Sequence, residues 1–386
     1  MSIEIKPVLV ITARDPASAH ALSPLIPSLN QAYRLLAILQ EPALSMLAEE
    51  LSGLGNQAFA FPVIQDFEKG VVEASRWLNA SHNFVENVFE KWSEASIYAV
   101  LTGISGPGFG VDEMMLQAAN ELGIPTFSAQ SAWGTINRET GVMPKTALVL
   151  DDAGVEINKL HYPKMQSVAV GSLQHAKYAE LSPSGIRDLH RARFVGDDEI
   201  LVGFYGQPIG ELPAYQKTVE DFCKALRHWH KPFKLLYRPH PKEAVNLEQN
   251  PTWKILKHYF PEGVLDPFQA VTTSLCCVDL VVSAFSTCCF DGLYLNELED
   301  KPFNTSIFLW FNKDLIRWAT KCSDTQDLHL VKENLVLAVD NSNRLLDVFE
   351  RALDEQVRLE LWQNARERLP SAKQAVSLVL KALEKG

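Results

Sequence analysis

Hydrophobic positions in this chain fall into short unbroken runs, separated by longer stretches in which apolar residues recur every three or four positions. PVLVITA, at 7–13, is too short for a helix and rich in β-branched side chains, so it reads as a buried strand. RLLAILQ (34–40), QAFAFPV (57–63), IYAVLTG (97–103), GIPTFSA (123–129), TALVLDD (146–152) and SVAVGS (167–172) read the same way. Between them lie a helical stretch PALSMLAEELSGLG that closes on glycine, a long amphipathic helix over 67–95, and a helix from Asp112 to about Leu122. Strand and helix in alternation predict a mostly parallel, doubly wound sheet.

The pattern changes over 173–198, which is polar, helix-prone and ends in an acidic cluster. Alternation then restarts with ILVGFYG (200–206), a helix over 213–230 and FKLLYR (233–238). Helices near 252–259 and 267–276 precede the strand DLVVSAF (279–285) and a helix over 287–296. The tail 342–386 is helical and broken at Leu369-Pro370, and no internal repeat is visible. The predicted fold class is α/β: an N-terminal Rossmann-like domain over 1–175, a linker over 176–198, a C-terminal Rossmann-like domain over 199–365, and a last helix over 366–386.

Composition narrows the function classes. With 386 residues, 47% of them hydrophobic and 22% charged, the chain can build large cores without disulfide or metal staples. A net charge of −11 argues against nucleic acid as the main partner, although a local basic patch can still hold a phosphate. No stretch approaches the ~20 apolar residues of a membrane span. The start, MSIEIKPVLVIT, lacks a basic region leading into a cleavable apolar core, so a cytoplasmic protein is expected. Six cysteines include the adjacent pairs Cys276–Cys277 and Cys288–Cys289 in apolar surroundings. They read as buried free thiols, with zinc or redox chemistry as the alternative.

In doubly wound sheets, ligands bind beyond the carboxyl ends of the strands, and four such ends carry candidate chemistry. After PVLVITA, Asp15 and His20 are possible proton acceptors among small residues; the plain alternative is that Asp15 or Ser18 caps the next helix. After YAVLTG, the loop Ser105, Gly106, Pro107, Gly108, Phe109, Gly110 exposes amide donors ahead of Asp112. It is neither a dinucleotide fingerprint nor a Walker loop, and it reads either as an acceptor-side or base-bearing loop or as a connection capped by Asp112. After KLLY, Arg238 and Lys242 supply positive charge and His240 can donate to a phosphate oxygen, with two prolines stiffening the turn. In the fourth, SAFST, the hydroxyls of Ser283, Ser286 and Thr287 meet a helix start that can bind phosphate without net charge; plain capping is the alternative.

RPHPKE and VVSAFST resemble the His-Pro and serine motifs of GT-B-fold glycosyltransferases: bacterial sialyltransferases, Kdo-transferring capsule enzymes and CDP-glycerol glycerophosphotransferases. The 43 positions from His240 to Ser283 and their strand-end contexts agree with that resemblance. It implies two Rossmann-like domains facing across a cleft, a nucleotide-activated donor in the second, and a last helix that returns to the first. It also implies that His240 stabilises the departing phosphate, that Ser286 and Thr287 with Ser283 bind it, and that Arg238 is a second electrostatic contact. The base would come from the N-terminal domain: Asp15 first, then Asp112, then His20. Gly206 and Gln207, in GFYGQP, either approach the nucleotide or only turn the chain. More distantly, VLTGISG followed by GIPTFSAQSAWGT resembles UDP-GlcNAc 2-epimerase. It departs from that family at TARDPAS, and at Gln130 or Ser131, where the family carries an acidic residue.

The expected function is a glycosyltransferase, moving a sugar from a CMP-, CDP- or UDP-linked donor to a glycan or lipid-linked acceptor in surface polysaccharide synthesis. No DxD-type pair stands at a suitable strand end, so no metal and no separate cofactor are expected, with histidine and helix dipoles in the metal's place. The alternatives are a nucleotide-sugar 2-epimerase or hydrolase on the same fold, and a catalytically silent nucleotide-binding protein.

Overall fold

The computed structural model describes residues 6–61, 97–103, 110–130, 133–134, 136–137, 141–323 and 328–385. The helix expected over 67–95 lies outside the described residues, as do Ser105, Gly106 and Gly108 of the glycine loop. The chain divides into two compact units, Met1–Ala179 with Arg368–Gly386, and Glu180–Glu367. Among the described residues no helix is long and apolar enough to cross a membrane.

The first unit holds β1 (Val8–Ala13), β2 (Arg34–Leu39), β3 (Gln57–Ala60), β4 (Ile97–Thr102), β5 (Thr126–Ala129), β6 (Thr146–Val149) and β7 (Gln166–Ala169). They pair in parallel in the order β3-β2-β1-β4-β5-β6-β7. All six residues of β1 are buried because both faces of a parallel sheet are covered. Side chains alternate between faces, and β1 divides accordingly. Leu9 and Ile11 join a core with Leu22, Leu25 and Leu47, which also takes in Val379 and Leu383 of the helix Ala372–Lys385. Val8 and Val10 join the opposite core, with Met114 and Met115 of the helix Val111–Glu121.

The second unit repeats the plan with β8 (Ile200–Tyr205), β9 (Phe233–Arg238), β10 (Val264–Leu265), β11 (Leu280–Ser283), β12 (Thr305–Leu309) and β13 (Leu337–Val339). Its order is β10-β9-β8-β11-β12-β13, again all parallel. Phe204 of β8 packs on Phe222 of the helix Pro213–Leu226 at 5.1 Å between ring centres.

β10, β12 and β13 carry no strand signal in the sequence reading, and one physical reason is visible in β12. Its first two residues, Thr305 and Ser306, are buried polar side chains that donate to the Ala352 and Cys289 carbonyls, which disguises the apolar run. The helix expected over 267–276 starts instead at Val271, because the Arg238 guanidinium holds the carbonyls of Phe268 and Gln269. Residues 183–190 form a helix of the second unit, where Arg187 and Arg191 pair with Asp279 while the Asp279 carboxylate also accepts the Leu201 amide. The five described cysteines are free thiols; burial pushes Cys276 up to about 12 and Cys277 to about 11.

Candidate functional site

In each sheet the strand order reverses at one place, between β1 and β4 and between β8 and β11. Ligands of doubly wound sheets bind outside the carboxyl ends at such a reversal. In the second unit β9, β8 and β11 end nearly level, since Tyr205 pairs with Arg238 and Phe204 with Val282. Gly206 leaves β8 with its amide on the Arg238 carbonyl at 2.8 Å. A Cβ at Gly206 would stand 3.0 Å from the Tyr237 hydroxyl, so the turn passes close against β9 and a larger residue would crowd the Tyr237 ring.

Gln207 follows and is 7% exposed; its Oε1 accepts the Phe285 amide at 3.0 Å. That bond ties the turn after β8 to the turn after β11 and fixes which end of the amide is which. The Nε2 group keeps its two N–H donors without an internal partner among the described residues.

The three hydroxyls of SAFST, expected to act together, have separate tasks. Ser283 is buried, and its Oγ accepts the Ser286 amide at 2.8 Å, which shapes the turn. Ser286 Oγ accepts the Cys288 amide at 3.3 Å. Thr287 is the exposed N-cap of the helix Cys288–Glu297 and makes no side-chain cap bond. Its hydroxyl and amide have no partner among the described residues, at the positive end of that helix, while Asp291 in the first turn offsets part of the dipole.

At the end of β9, His240 caps the short helix Pro241–Ala244 by accepting the Lys242 amide on Nδ1 at 3.2 Å. Burial, and then the Lys242 charge, hold its pKa below the ordinary histidine value. The ring is therefore neutral at pH 7 with its proton on Nε2, a fixed donor. Lys242 is exposed, with no ion pair among the described residues. Arg238 is different from the open cation expected of it: its guanidinium pairs with Asp266, whose side chain is 1% exposed, at 2.7 Å, and donates to the Phe268 and Gln269 carbonyls.

The reversal in the first unit has the opposite electrostatic character. Gly103 follows β4, and a Cβ there would fall 2.3 Å from that of Ser18, so the helix Pro16–Leu22 sits directly against this strand end. Asp15 is the N-cap of that helix, its Oδ1 accepting the Ser18 amide at 2.8 Å and the Ser18 hydroxyl at 2.9 Å. Its Oδ2 has no internal partner among the described residues. His20, exposed in the last turn, is shifted down by burial and by Lys177.

Asp112, one reading of which was a helix cap, lies inside the first turn, and Gly110 is the N-cap. The Asp112 carboxyl is fully buried, accepts the Thr12 hydroxyl on Oδ1, and has Arg14 Nε 4.0 Å from Oδ2. Glu113 beside it accepts the Gly110 amide and the Asn137 side chain, each at 2.8 Å. Burial and the neighbouring Glu113 push Asp112 up to about 7, against the Thr12 hydrogen bond and the Arg14 charge. Gln130, at the end of β5, exchanges amide hydrogen bonds with Asn158 at 3.3 and 3.2 Å, a neutral pair. Among the described residues no group of three or more His, Cys, Asp or Glu side chains is gathered as a metal site.

Sequence reasoning missed Thr12, Arg14, Glu113 and Asn137 around Asp112, and Glu243 beside His240. Arg14, Glu113 and Glu243 each adjoin a residue or motif already singled out, so a charge count over those loops would have raised them.

No protein-family model and no curated protein matches the chain. Solved structures do. A putative UDP-N-acetylglucosamine 2-epimerase from Listeria monocytogenes is 12% identical with a TM-score of 0.66, covering 98% of this chain and 96% of its own. An S. aureus MnaA–UDP co-structure is 11% identical with a TM-score of 0.63 over 98% and 96%. MurG from Acinetobacter baumannii is 13% identical with a TM-score of 0.62 over 99% and 100%. At such identities the likeness establishes the fold: two parallel α/β units of the GT-B type.

Proposed function

We propose that the chain is a glycosyltransferase that moves a sugar from a nucleotide-activated donor, CMP-, CDP- or UDP-linked, to a hydroxyl of a glycan or lipid-linked acceptor. The observation that carries this reading is the edge formed by β9, β8 and β11, where four hydrogen-bond donors without a partner among the described residues come from three turns: Gln207 Nε2–H, His240 Nε2–H, and the amide and hydroxyl of Thr287. Such an edge suits the phosphates of a nucleotide. Lys242 adds charge, Ser283 and Ser286 shape the turn that presents Thr287, and Arg238 positions 266–269. In the first unit Asp15 has an oxygen without a partner among the described residues, whereas Asp112 is fully buried and already accepts the Thr12 hydroxyl. Asp15 takes the acceptor proton, the freed oxygen bonds to the anomeric carbon, and the bond from that carbon to the phosphate oxygen breaks. The phosphate leaves with the electron pair, and the donors of the second unit stabilise its charge. Thermal unfolding with CMP, CDP and UDP tests the reading: at least one should raise the midpoint, and His240→Ala should shrink that rise. No shift with any of the three would defeat it.

A second reading, a nucleotide-sugar 2-epimerase, draws support from the Listeria structure's name and from a buried carboxyl at Asp112 that exchanges its proton near neutrality. The neutral Gln130–Asn158 pair stands where the resemblance would call for a carboxylate. Conversion of UDP-GlcNAc without any acceptor would favour this second reading; an unchanged sugar would remove it.

A further inference from the structure

Glu243 is the last residue of RPHPKE and lies one turn beyond His240, whose carbonyl accepts the Glu243 amide at 2.8 Å. Its side chain crosses to the neighbouring loop. Oε1 accepts the Gly210 amide at 2.9 Å, and Oε2 accepts Asn250 Nδ2 at 3.3 Å. A Cβ at Gly210 would stand 2.7 Å from Oε1, so a side chain there would push this carboxylate from its place. The Gly210 carbonyl is held separately by Gln216 Nε2 at 2.8 Å. Asn250 cannot turn its amide over, because its Oδ1 accepts the Trp253 amide at 3.0 Å at a helix start. Glu243 is thus the side chain that links the His240 loop to the turn running from Gly206 through Gln207 to Gly210.

We propose that Glu243 is a positioning residue of the donor site: it fixes the spacing between the His240 Nε2–H and Gln207 Nε2–H donors, and so sets affinity for the nucleotide without touching it. This rests on the donor-site reading above. The chemistry also defines a compensating pair. In Glu243→Gln one end of the new amide opposes the Asn250 Nδ2 donor, so one of the two bonds is lost and two donors face each other. In Asn250→Asp two carboxylates face each other. Combined, the two changes restore a donor-acceptor match at both contacts, and aspartate still caps Trp253.

Wild type, E243Q, N250D and E243Q/N250D full-length chains are compared by calorimetric titration with UDP, CDP and CMP, and by hydrogen exchange of the segment 206–212. Unfolding midpoints serve as the folding control. For whichever nucleotide the wild type binds, E243Q is expected to weaken binding by about 10-fold, the worth of one hydrogen bond to a charged group. Exchange over 206–212 should quicken in E243Q. The double variant should recover both properties to within about 3-fold of wild type, a coupling that a general loss of stability would not give. Unchanged affinity in E243Q, or a double variant as weak as the sum of the singles, overturns the assignment of Glu243 alone. A wild type that binds none of the three nucleotides overturns the donor-site reading, and the positioning role with it. Exchange that still depends on Glu243 would then mark a purely structural tie.

Discussion

Gln207 Oε1 accepts the Phe285 amide at 3.0 Å and joins the ends of β8 and β11, the strands between which the second sheet reverses its order. The first sheet has a counterpart: Thr12, near the end of β1, donates to Asp112 in the helix after β4. The two locks stand in opposite electrostatic surroundings. Around Gln207 the open side chains named above are donors and a lysine; beside Thr12 the buried Asp112 and Glu113 carboxylates gather on Arg14. This contrast underlies the assignment of phosphate to the second unit and of the base to the first.

His240 donates from Nε2 because Nδ1 is occupied by the Lys242 amide. His240→Ala should lower turnover by about 100-fold, the scale of one positioned catalytic group. Michaelis constants should rise by much less than kcat falls, since in the proposed site Thr287 and Gln207 would still offer donors to the phosphates. Steady-state assays of nucleotide release check the split.

Arg238 and Lys242 stand four positions apart and should behave differently. Arg238→Ala leaves Asp266 buried without its partner and should cost about 3 kcal/mol of stability. Lys242→Ala should leave the unfolding midpoint unchanged and weaken nucleotide binding more at low salt than at high. Denaturant titrations and binding at two ionic strengths separate the two.

Asp112 should shape the pH dependence of stability. The folded chain keeps this proton up to about pH 7, whereas an unperturbed aspartate releases it near 3.8. Folding therefore takes up a proton between those values, so the contribution is full at the acid end and is lost as pH rises through 7. Asp112→Asn, which mimics the protonated side chain, should flatten the slope between about pH 4 and about pH 7 in unfolding experiments.

Asp15→Asn keeps an oxygen for the Ser18 amide but removes the proposed base. Turnover should fall by about 100-fold or more, with the unfolding midpoint nearly unchanged. The same loss in Asp112→Asn, with Asp15→Asn active, would move the base to Asp112.

The strands legible in the sequence are those with nearly continuous apolar runs, such as β1, β2, β8, β9 and β11, because burial of their central residues on both faces leaves few polar positions to blur them. β12 escaped because Thr305 and Ser306 satisfy their hydroxyls inside the fold, which a sequence pattern cannot register. The two-residue β10 and three-residue β13 are too short to carry any period. At the candidate site the basic and hydroxylic loops were visible, but their division of labour was not. The partner of Arg238 lies 28 positions away and the partner of Gln207 lies 78 away, so only the tertiary fold shows which groups are occupied and which remain available.

The most direct test is a calorimetric titration of wild type and Gln207→Glu with UDP, CDP and CMP at one salt concentration. The substituted carboxylate can still accept the Phe285 amide, so the turn is kept, but it presents negative charge where two N–H donors stood. At least one nucleotide is expected to bind wild type and to lose at least about 10-fold in affinity with Gln207→Glu. Failure of all three to bind wild type, or equal binding by both proteins, would contradict a phosphate site at the β8–β11 reversal.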